Sequence, residues 1–537
     1  MPDTGVTRTY EFTVSYQTIA PDGVPRKGIV INEQFPGPPI EADWGDWIEV
    51  TMHNAIEDEG TALHWHGLLQ KGTPTEDGVP GVGQCPTPPN GTQFFKFQAD
   101  IYGTSWYHSH YSAQYAGGAV GPMIIHGPGE DQYDEDLGPI MLLDWYHKPY
   151  YQLVDQTMAP TSEGLPPPVS ENALINGLNP YDCSLTDVPC TQLSEFSTFK
   201  FTSGKKHRLR LMNTGAEAIH HFSIDGHNMT IIANDFIPVE PYETRFVSLG
   251  VGQRTDVIVE GLDDATGAYW MRSDMGPGFK AGGCNLVNEN STLAKAIIYY
   301  EDADTTALPT TEAHVDYNSK FCGNDPLYLT TPLEPLTPTL EPSTTQEIHM
   351  KLESNGTHTV WKMNGSSYRA NYNDPTLLEA KLGSLEFPPE ANVHNFGAND
   401  SVRLVVYNHW TGGSHPMHMH GHNMFVLAEG YGVWDGSIVN AENPQRRDVQ
   451  IVNKAQDDDT PAFIVVQFEQ DNPGVWPFHC HIAWHVSAGL YINILERPDD
   501  IVDLDVPARS AQTCRDWAAW TGQNVPNQID SGLRMRE

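Results

Sequence analysis

The sequence predicts an all-β protein made of three related sandwich- or barrel-like domains. Three observations carry that expectation. The chain is full of short apolar, often alternating runs, among them "FTVSY", "WIEVTM", "QFFKF", "RLRLM", "DVIVE", "AIIYY", "VRLVVY" and "FIVVQFE". Side chains alternate faces along a strand, so such runs suit sheets with one buried face. Turn residues are abundant, at 47 Gly and 41 Pro in 537 residues. Finally, one strand block recurs as "GDWIEVTMHN", "GKKHRLRLMN" and "NDSVRLVVYN", closing on Asn54, Asn213 and Asn408. Self-similarity at long spacing marks repeated units.

Followed along the chain, the first block leads after ten residues to His64 in "HWHG", and the third leads after ten to His418 in "HMHG". The middle block has no such pair. A second block also repeats: "YGTSWYHSH" sets His108 five residues after Gly103, and "PGVWPFHCH" sets His479 five residues after Gly474. The outer domains therefore carry paired histidines and the middle one does not. Boundaries are expected near the Pro-rich stretches "LPPPVS" and "PLEPLTPTLEPS", giving domains 1–155, 156–330 and 331–537.

The charge balance is strongly acidic, with 69 acids against 30 bases and a net charge of -39. That excess argues against nucleic acid or anionic membranes as partners. No apolar run is long enough to span a bilayer. Six N-x-S/T sequons, at Asn90, Asn228, Asn290, Asn355, Asn364 and Asn399, together with the cysteines, favour a secreted glycoprotein. A monomer is the default expectation. Of seven cysteines, Cys480 lies inside a histidine cluster and is the odd one out. The other six allow fifteen pairings. Cys183–Cys190 is favoured by its short spacing; Cys284–Cys322 and Cys85–Cys514 are expected on weaker grounds.

Four His-x-His pairs stand out: His64/His66, His108/His110, His418/His420 and His479/His481. Composition alone predicts about one. Residues two apart on a strand share a face, so each pair can aim two rings at one place. Eight rings suit a cluster of about three metals lying between the outer domains. In an extended "HCH", Cys480 points away from its neighbours and can bind a different metal. His415 and His485 are placed to join it, giving the two-His, one-Cys set of a blue-copper site. A structural zinc site prefers four ligands in a closed tetrahedron, far fewer than this set offers. An axial Met is missing; "HVSAGLYI" offers Leu490, which cannot donate and should make the site a stronger oxidant. His422 follows His420 on the same face but has no repeat partner and is read as structural, as are His126, His147, His220, His221 and His394.

"HWHG", "WYHSH", "HPMHMHG" and "WPFHCHIAWHVSAGL" together resemble the four copper motifs of three-domain multicopper oxidases, and among them the laccases of filamentous fungi. The resemblance covers nearly the whole chain. It implies three cupredoxin-like Greek-key β-barrel or sandwich domains and four copper ions. His415, Cys480 and His485 would hold the type-1 copper, His64 and His418 the type-2 copper, and His66, His108, His110, His420, His479 and His481 the type-3 pair. It further implies one-electron oxidation of small phenolic or aromatic substrates, coupled to reduction of O2 to water. Asp77, in "PTEDGVPG", matches a carboxylate that relays protons near the type-2 site. Asp235, in "IIANDFIPVE", resembles the acid that accepts a phenol's proton beside the type-1 copper. "DSGL" at Asp530 to Leu533 is similar to the processed C-terminus of ascomycete laccases, here followed by "RMRE". The competing readings are another oxidase of the family (ferroxidase, ascorbate oxidase or bilirubin oxidase) and a non-enzymatic copper carrier.

Overall fold

The structure, a computed structural model, describes residues 1–129, 133–315 and 317–522. The "DSGL" tail lies outside them. Among the described residues the strands form six sheets, two for each of three domains. Each domain is built around the strand that ends in the repeated Asn: Trp47–Asn54, Lys206–Asn213 and Ser401–Asn408. Each of these pairs in parallel with the strand that opens its domain: Thr7–Ile19, Glu135–Trp145 and Thr344–Ser354. Each pairs antiparallel on its other side, with Thr92–Gln98, Arg254–Glu260 and Ala462–Glu469.

The repeated Asn has one task in all three domains. Its carbonyl oxygen accepts the N–H two residues on: Ile56 for Asn54, Gly215 for Asn213 and Trp410 for Asn408. Its amide donates to the carbonyl five residues on (Glu59, Ala218, Gly413) and to a second carbonyl across the loop (Thr87, Leu249, Asn453). Buried polar groups must find partners. One Asn therefore fixes the loop leaving the strand, and in the outer domains that loop leads to the histidine pair.

Strand composition follows burial. Trp47–Asn54 alternates, with Ile48, Val50 and Met52 inward. Ser401–Asn408 is buried throughout: Val402, Leu404 and Val406 enter the main core, while Val405 and Tyr407 pack under Trp434 and Ile438. A strand covered on both faces explains the unbroken run "VRLVVY".

The first and third domains share one continuous core, from Ile48 and Trp65 to Met417, Cys480 and Ile492, which second-domain residues such as Met212 and Phe236 join, while the second domain also has a core of its own. The pairing of Glu135–Trp145 with Lys206–Asn213 corrects the expected seam at 155: this strand, twenty residues earlier, already belongs to the second domain. The second seam, at 330, falls in the long connection between Leu293–Tyr299 and Thr344–Ser354. The disulfides are Cys85–Cys514, Cys183–Cys190 and Cys284–Cys322, and Cys480 is free and buried. The first of them ties the helix Ala508–Thr521 to the first domain.

Candidate metal centre

Four short strands carry the histidine pairs, and each ends inside its motif. Leu63–Trp65 pairs antiparallel with Gly103–Ser109, setting His64 opposite His108. His415–Met419 pairs antiparallel with Gly474–Cys480, setting His418 opposite His479. Within a pair the two rings stay on one side, with centroids 5.9 Å apart for His64/His66 and His108/His110, 4.6 Å for His418/His420 and 5.6 Å for His479/His481. The outer domains then close on each other. His64 lies 4.1 Å from His420, His66 lies 4.0 Å from His418, and His110 lies 5.4 Å from His479. All eight paired rings thus gather in one place at the domain interface.

Hydrogen bonds decide which ring nitrogen is left over. His64 Nδ1–H donates to the Asp77 carbonyl at 2.7 Å, His108 Nδ1–H to Ser109 at 3.0 Å, and His418 Nδ1–H to Asp448 at 3.0 Å. The Nε2 atoms of these three rings are buried with no partner. A buried unpaired nitrogen is costly unless something fills it. His420 Nε2 and His479 Nε2 lie 3.1 Å apart, and His481 Nε2 and His66 Nδ1 lie 3.2 Å apart. Burial first, then neighbouring rings, holds His66, His108, His420, His479 and His481 far below the usual imidazole range, and burial pushes His110 down to about 3. These six rings are therefore neutral and keep lone pairs for a metal. Two of the clusters able to hold an ion are His110/His420/His479 and His64/His418/His420.

On the other face of the same strand, Cys480 Sγ lies 3.6 Å from His415 Nδ1 and 3.5 Å from His485 Nδ1. Those two nitrogens are 3.1 Å apart. The helix Ala483–Ser487 turns the chain back so that His485 returns to the sulfur. Burial pushes the Cys480 thiol well up, so the thiolate form needs a bound cation. Leu490 is fully buried; its N–H donates to the His485 carbonyl, and its own carbonyl accepts from the Cys480 N–H. This donor set suits copper: soft thiolate plus imidazole on one side, imidazoles alone on the other.

The shell around the cluster comes from all three domains. Asp77 Oδ2 accepts from His420 Nδ1–H at 2.8 Å, and Oδ1 lies 3.2 Å from His64 Nδ1. Gly78, at φ +80°, lets the chain turn there; a Cβ would lie 1.7 Å from the Leu63 carbonyl oxygen. Asp448, absent from the sequence reading, accepts from His66 Nε2–H at 3.0 Å and is gripped by Arg254 at 2.6 and 2.7 Å. Burial alone would raise its carboxyl, yet Arg254 and His418 hold it below the usual carboxylate range. The middle domain also supplies Gly252, where a Cβ would meet His481 Cδ2 at 2.9 Å and His66 Cε1 at 3.0 Å. No local spacing announces Asp448, because its partners are 194 and 382 residues away.

Asp235 is a correction. It is buried and bound by Arg447 at 3.0 and 2.9 Å and by the backbone N–H groups of Arg254, Asp448 and Val449. It serves as an interdomain clamp and does not line the cavity beside His485. That cavity, about 610 Å³, is walled by Trp361, Trp410, Trp484, Phe279 and His485, and Glu217 is the single carboxylate among its lining residues. Burial first, then Asp144, raises the Glu217 carboxyl well above its ordinary value, and its Oε2 is buried without a partner. The sequence offered only "NTGAEAIHH" to mark it.

The histidines read as structural all have protein partners. His422 pairs with Glu496 at 3.0 Å, His147 with Asp22 at 2.8 Å and His126 with Glu41 at 3.7 Å. His220 bonds Ser273, His221 bonds Phe321 and Asp274, and His394 bonds Gln346.

Comparison with known proteins agrees with the geometry. Residues 13–130, 136–303 and 341–500 match three models of the multicopper oxidase family. Oxidoreductase OpS5 of Beauveria bassiana is 40% identical, covering 96% of this chain and 86% of that protein. Laccase-2 of Botryotinia fuckeliana is 37% identical, covering 99% and 89%. The crystal structure of the laccase from Botrytis aclada superposes with a TM-score of 0.88 at 36% identity, covering 99% of this chain and 95% of that one. With its sites, its sheets and these likenesses in accord, the chain belongs to the multicopper oxidases, a copper-dependent family of oxidoreductases, alongside fungal laccases.

Proposed function

We propose that this chain is a laccase with four copper ions, oxidising phenols and related aromatics one electron at a time and reducing O2 to water. The convergence of eight paired histidines behind a single buried thiol carries the reading. His415, Cys480 and His485 would hold the type-1 copper, with the buried Leu490, bonded through its backbone to Cys480 and His485, beside them. His64 and His418 would hold the type-2 copper; His66, His108 and His481 would hold one type-3 copper, and His110, His420 and His479 the other. When bound, the coppers accept electrons singly and deliver them to O2.

The chain's own residues do the rest. The aromatic walls of the cavity seat a planar ring near His485. Glu217, with its unpartnered oxygen there, orients the phenol hydroxyl and takes its proton as the electron leaves. The bonded path from Cys480 to His479 and His481 joins the two copper sites. Asp77, beside His64 and His420, is placed to hand protons inward. A cavity with one carboxylate is poorly equipped to bind Fe(II), which prefers several oxygen ligands, so phenols are favoured over a ferroxidase role. Five of the six sequon asparagines are exposed and Asn399 is half-buried, which with the three disulfides supports secretion. No helix among the described residues is long and apolar enough to cross a membrane.

The test pairs a copper count and visible and EPR spectra with oxygen uptake on a dimethoxyphenol and on Fe(II). Four coppers, a strong thiolate-to-copper band and phenol-driven oxygen uptake are expected; strong preference for iron would overturn the substrate. Glu217→Gln should slow phenol turnover by about 10²-fold or more, while a non-protic one-electron donor is spared. Equal loss with both donors would remove Glu217 from proton transfer.

A further inference from the structure

The cluster has an aromatic neighbour that copper binding does not use. Tyr491 is the cross-strand partner of His479. Its ring stacks on the His479 imidazole, with centroids 5.0 Å apart and planes at 14°. On its far side it stacks on Tyr368, at 4.0 Å and 12°. The hydroxyl of Tyr491 lies beside that of Tyr368, which in turn neighbours Asn493, and it is buried without a hydrogen bond in this conformation. Tyr368 forms part of the wall of a second cleft, about 610 Å³, distinct from the one at His485. Four carboxylates, Asp374, Glu379, Glu386 and Glu390, and one guanidinium, Arg369, share that wall. Two phenols in van der Waals file thus run from a ligand of the trinuclear site to a solvent-facing cleft. Tyrosine is among the few side chains that can lose one electron and one proton reversibly, and electron exchange between rings in contact needs no bond.

We propose that Tyr491 and Tyr368 form a relay that carries oxidising equivalents from the trinuclear copper site to this second cleft, where an aromatic reductant discharges them. The relay rests on the laccase reading and acts when O2 has reacted and the type-1 copper has no electron to send. Tyr491 then gives one electron to the oxidised copper site. Its phenolic proton moves to the Tyr368 hydroxyl once the two oxygens close to hydrogen-bond distance, and Tyr368 releases a proton to water in the cleft. A hydrogen atom next passes from Tyr368 to the Tyr491 phenoxyl, restoring Tyr491. A phenol or aromatic amine in the cleft gives a hydrogen atom to Tyr368, so the donor is oxidised by one electron and both tyrosines are restored. The excess of carboxylates favours neutral or cationic donors over anionic ones.

The experiment uses the copper-loaded protein. In Cys480→Ser, checked to retain its other coppers, the site is reduced chemically, mixed with O2 and freeze-quenched. A phenoxyl EPR signal is expected, absent in Cys480→Ser/Tyr491→Phe and much weakened in Cys480→Ser/Tyr368→Phe, where Tyr491 has no hydroxyl to take its proton. Should Cys480→Ser lose those coppers, the intact protein is turned over under O2 with limiting 2,6-dimethoxyphenol. Tyr491→Phe should then accumulate several-fold more oxidised side chains by mass spectrometry and inactivate several-fold sooner per copper. A signal unchanged by Tyr491→Phe, no signal in a fully loaded Cys480→Ser, or equal damage in the intact pair would each overturn the relay. Failure of the parent protein to take up O2 with any phenol would instead overturn the laccase reading.

Discussion

Asp448→Asn separates the two duties of a carboxylate that the ligand motifs do not contain. Asp448 is fully buried, takes two hydrogen bonds from Arg254 and accepts from His66 Nε2–H. Asparagine keeps the shape but loses the charge and one acceptor; Oδ1 serves both His66 and Arg254 Nη1 and Oδ2 serves Nη2, so the NH2 meets Arg254 in either orientation and His66 is left with a weaker neutral acceptor or none. Leaving one member of a buried ion pair alone costs roughly 3–5 kcal/mol. Asp235 Oδ1 lies 3.5 Å from Arg254 Nη1 and retains part of the compensation, so the lower end, about 3 kcal/mol, is expected. Independently, removing the partner that fixes a ligand histidine weakens metal binding by about 10–100-fold. The assay is copper retention against a competing chelator, alongside denaturant unfolding of the copper-free protein. Arg254→Met/Asp448→Leu should recover much of the stability, because no charge is stranded, but not the copper affinity, because His66 then has no acceptor. If Asp448→Asn holds copper as tightly as the parent, or if the double variant restores affinity, the assignment of Asp448 as the orienting partner of His66 fails.

Three further outcomes follow from the same geometry. Leu490→Met should supply an axial sulfur and lower the type-1 reduction potential, read by redox titration; a potential that rises or stays fixed would place Leu490 away from the metal. His220 is pushed down to about 3 by burial, with His221 adding to the effect, so the folded chain refuses a proton that the unfolded chain takes near 6.5. The unfolded state then binds more protons across that interval, so stability falls as pH drops from 6.5 toward 3, and His220→Gln should flatten this slope in copper-free protein; an unchanged slope would show that His220 is protonated in the fold. Removing the Cys85–Cys514 bridge as a Ser/Ser pair should cost about 2–5 kcal/mol, since it closes a separation of 429 residues, and a denaturation midpoint equal to the parent's would show the helix Ala508–Thr521 held by packing alone.

Much of this molecule is written in short-range patterns. The period of two along a strand fixes which way His64 and His66, or His479 and His481, point, and the same period turns Cys480 to the opposite face. The repeated Asn at 54, 213 and 408 announces three equivalent domains because the loop it clamps is local to each. What the sequence could not determine depends on contacts between distant segments. It could not say that Asp235 is spent on Arg447, 212 residues away, or that Asp448 reaches across 382 residues to orient His66. Nor could it show that Glu217, and not Asp235, lines the cavity beside His485. The first boundary was misplaced for the same reason: a strand's membership is set by its hydrogen-bonded partner, not by the prolines that follow it. Ligand identity needs only the local geometry of a strand; the roles of carboxylates depend on which cations and amides the closed domains bring to them, and only the tertiary structure decides that.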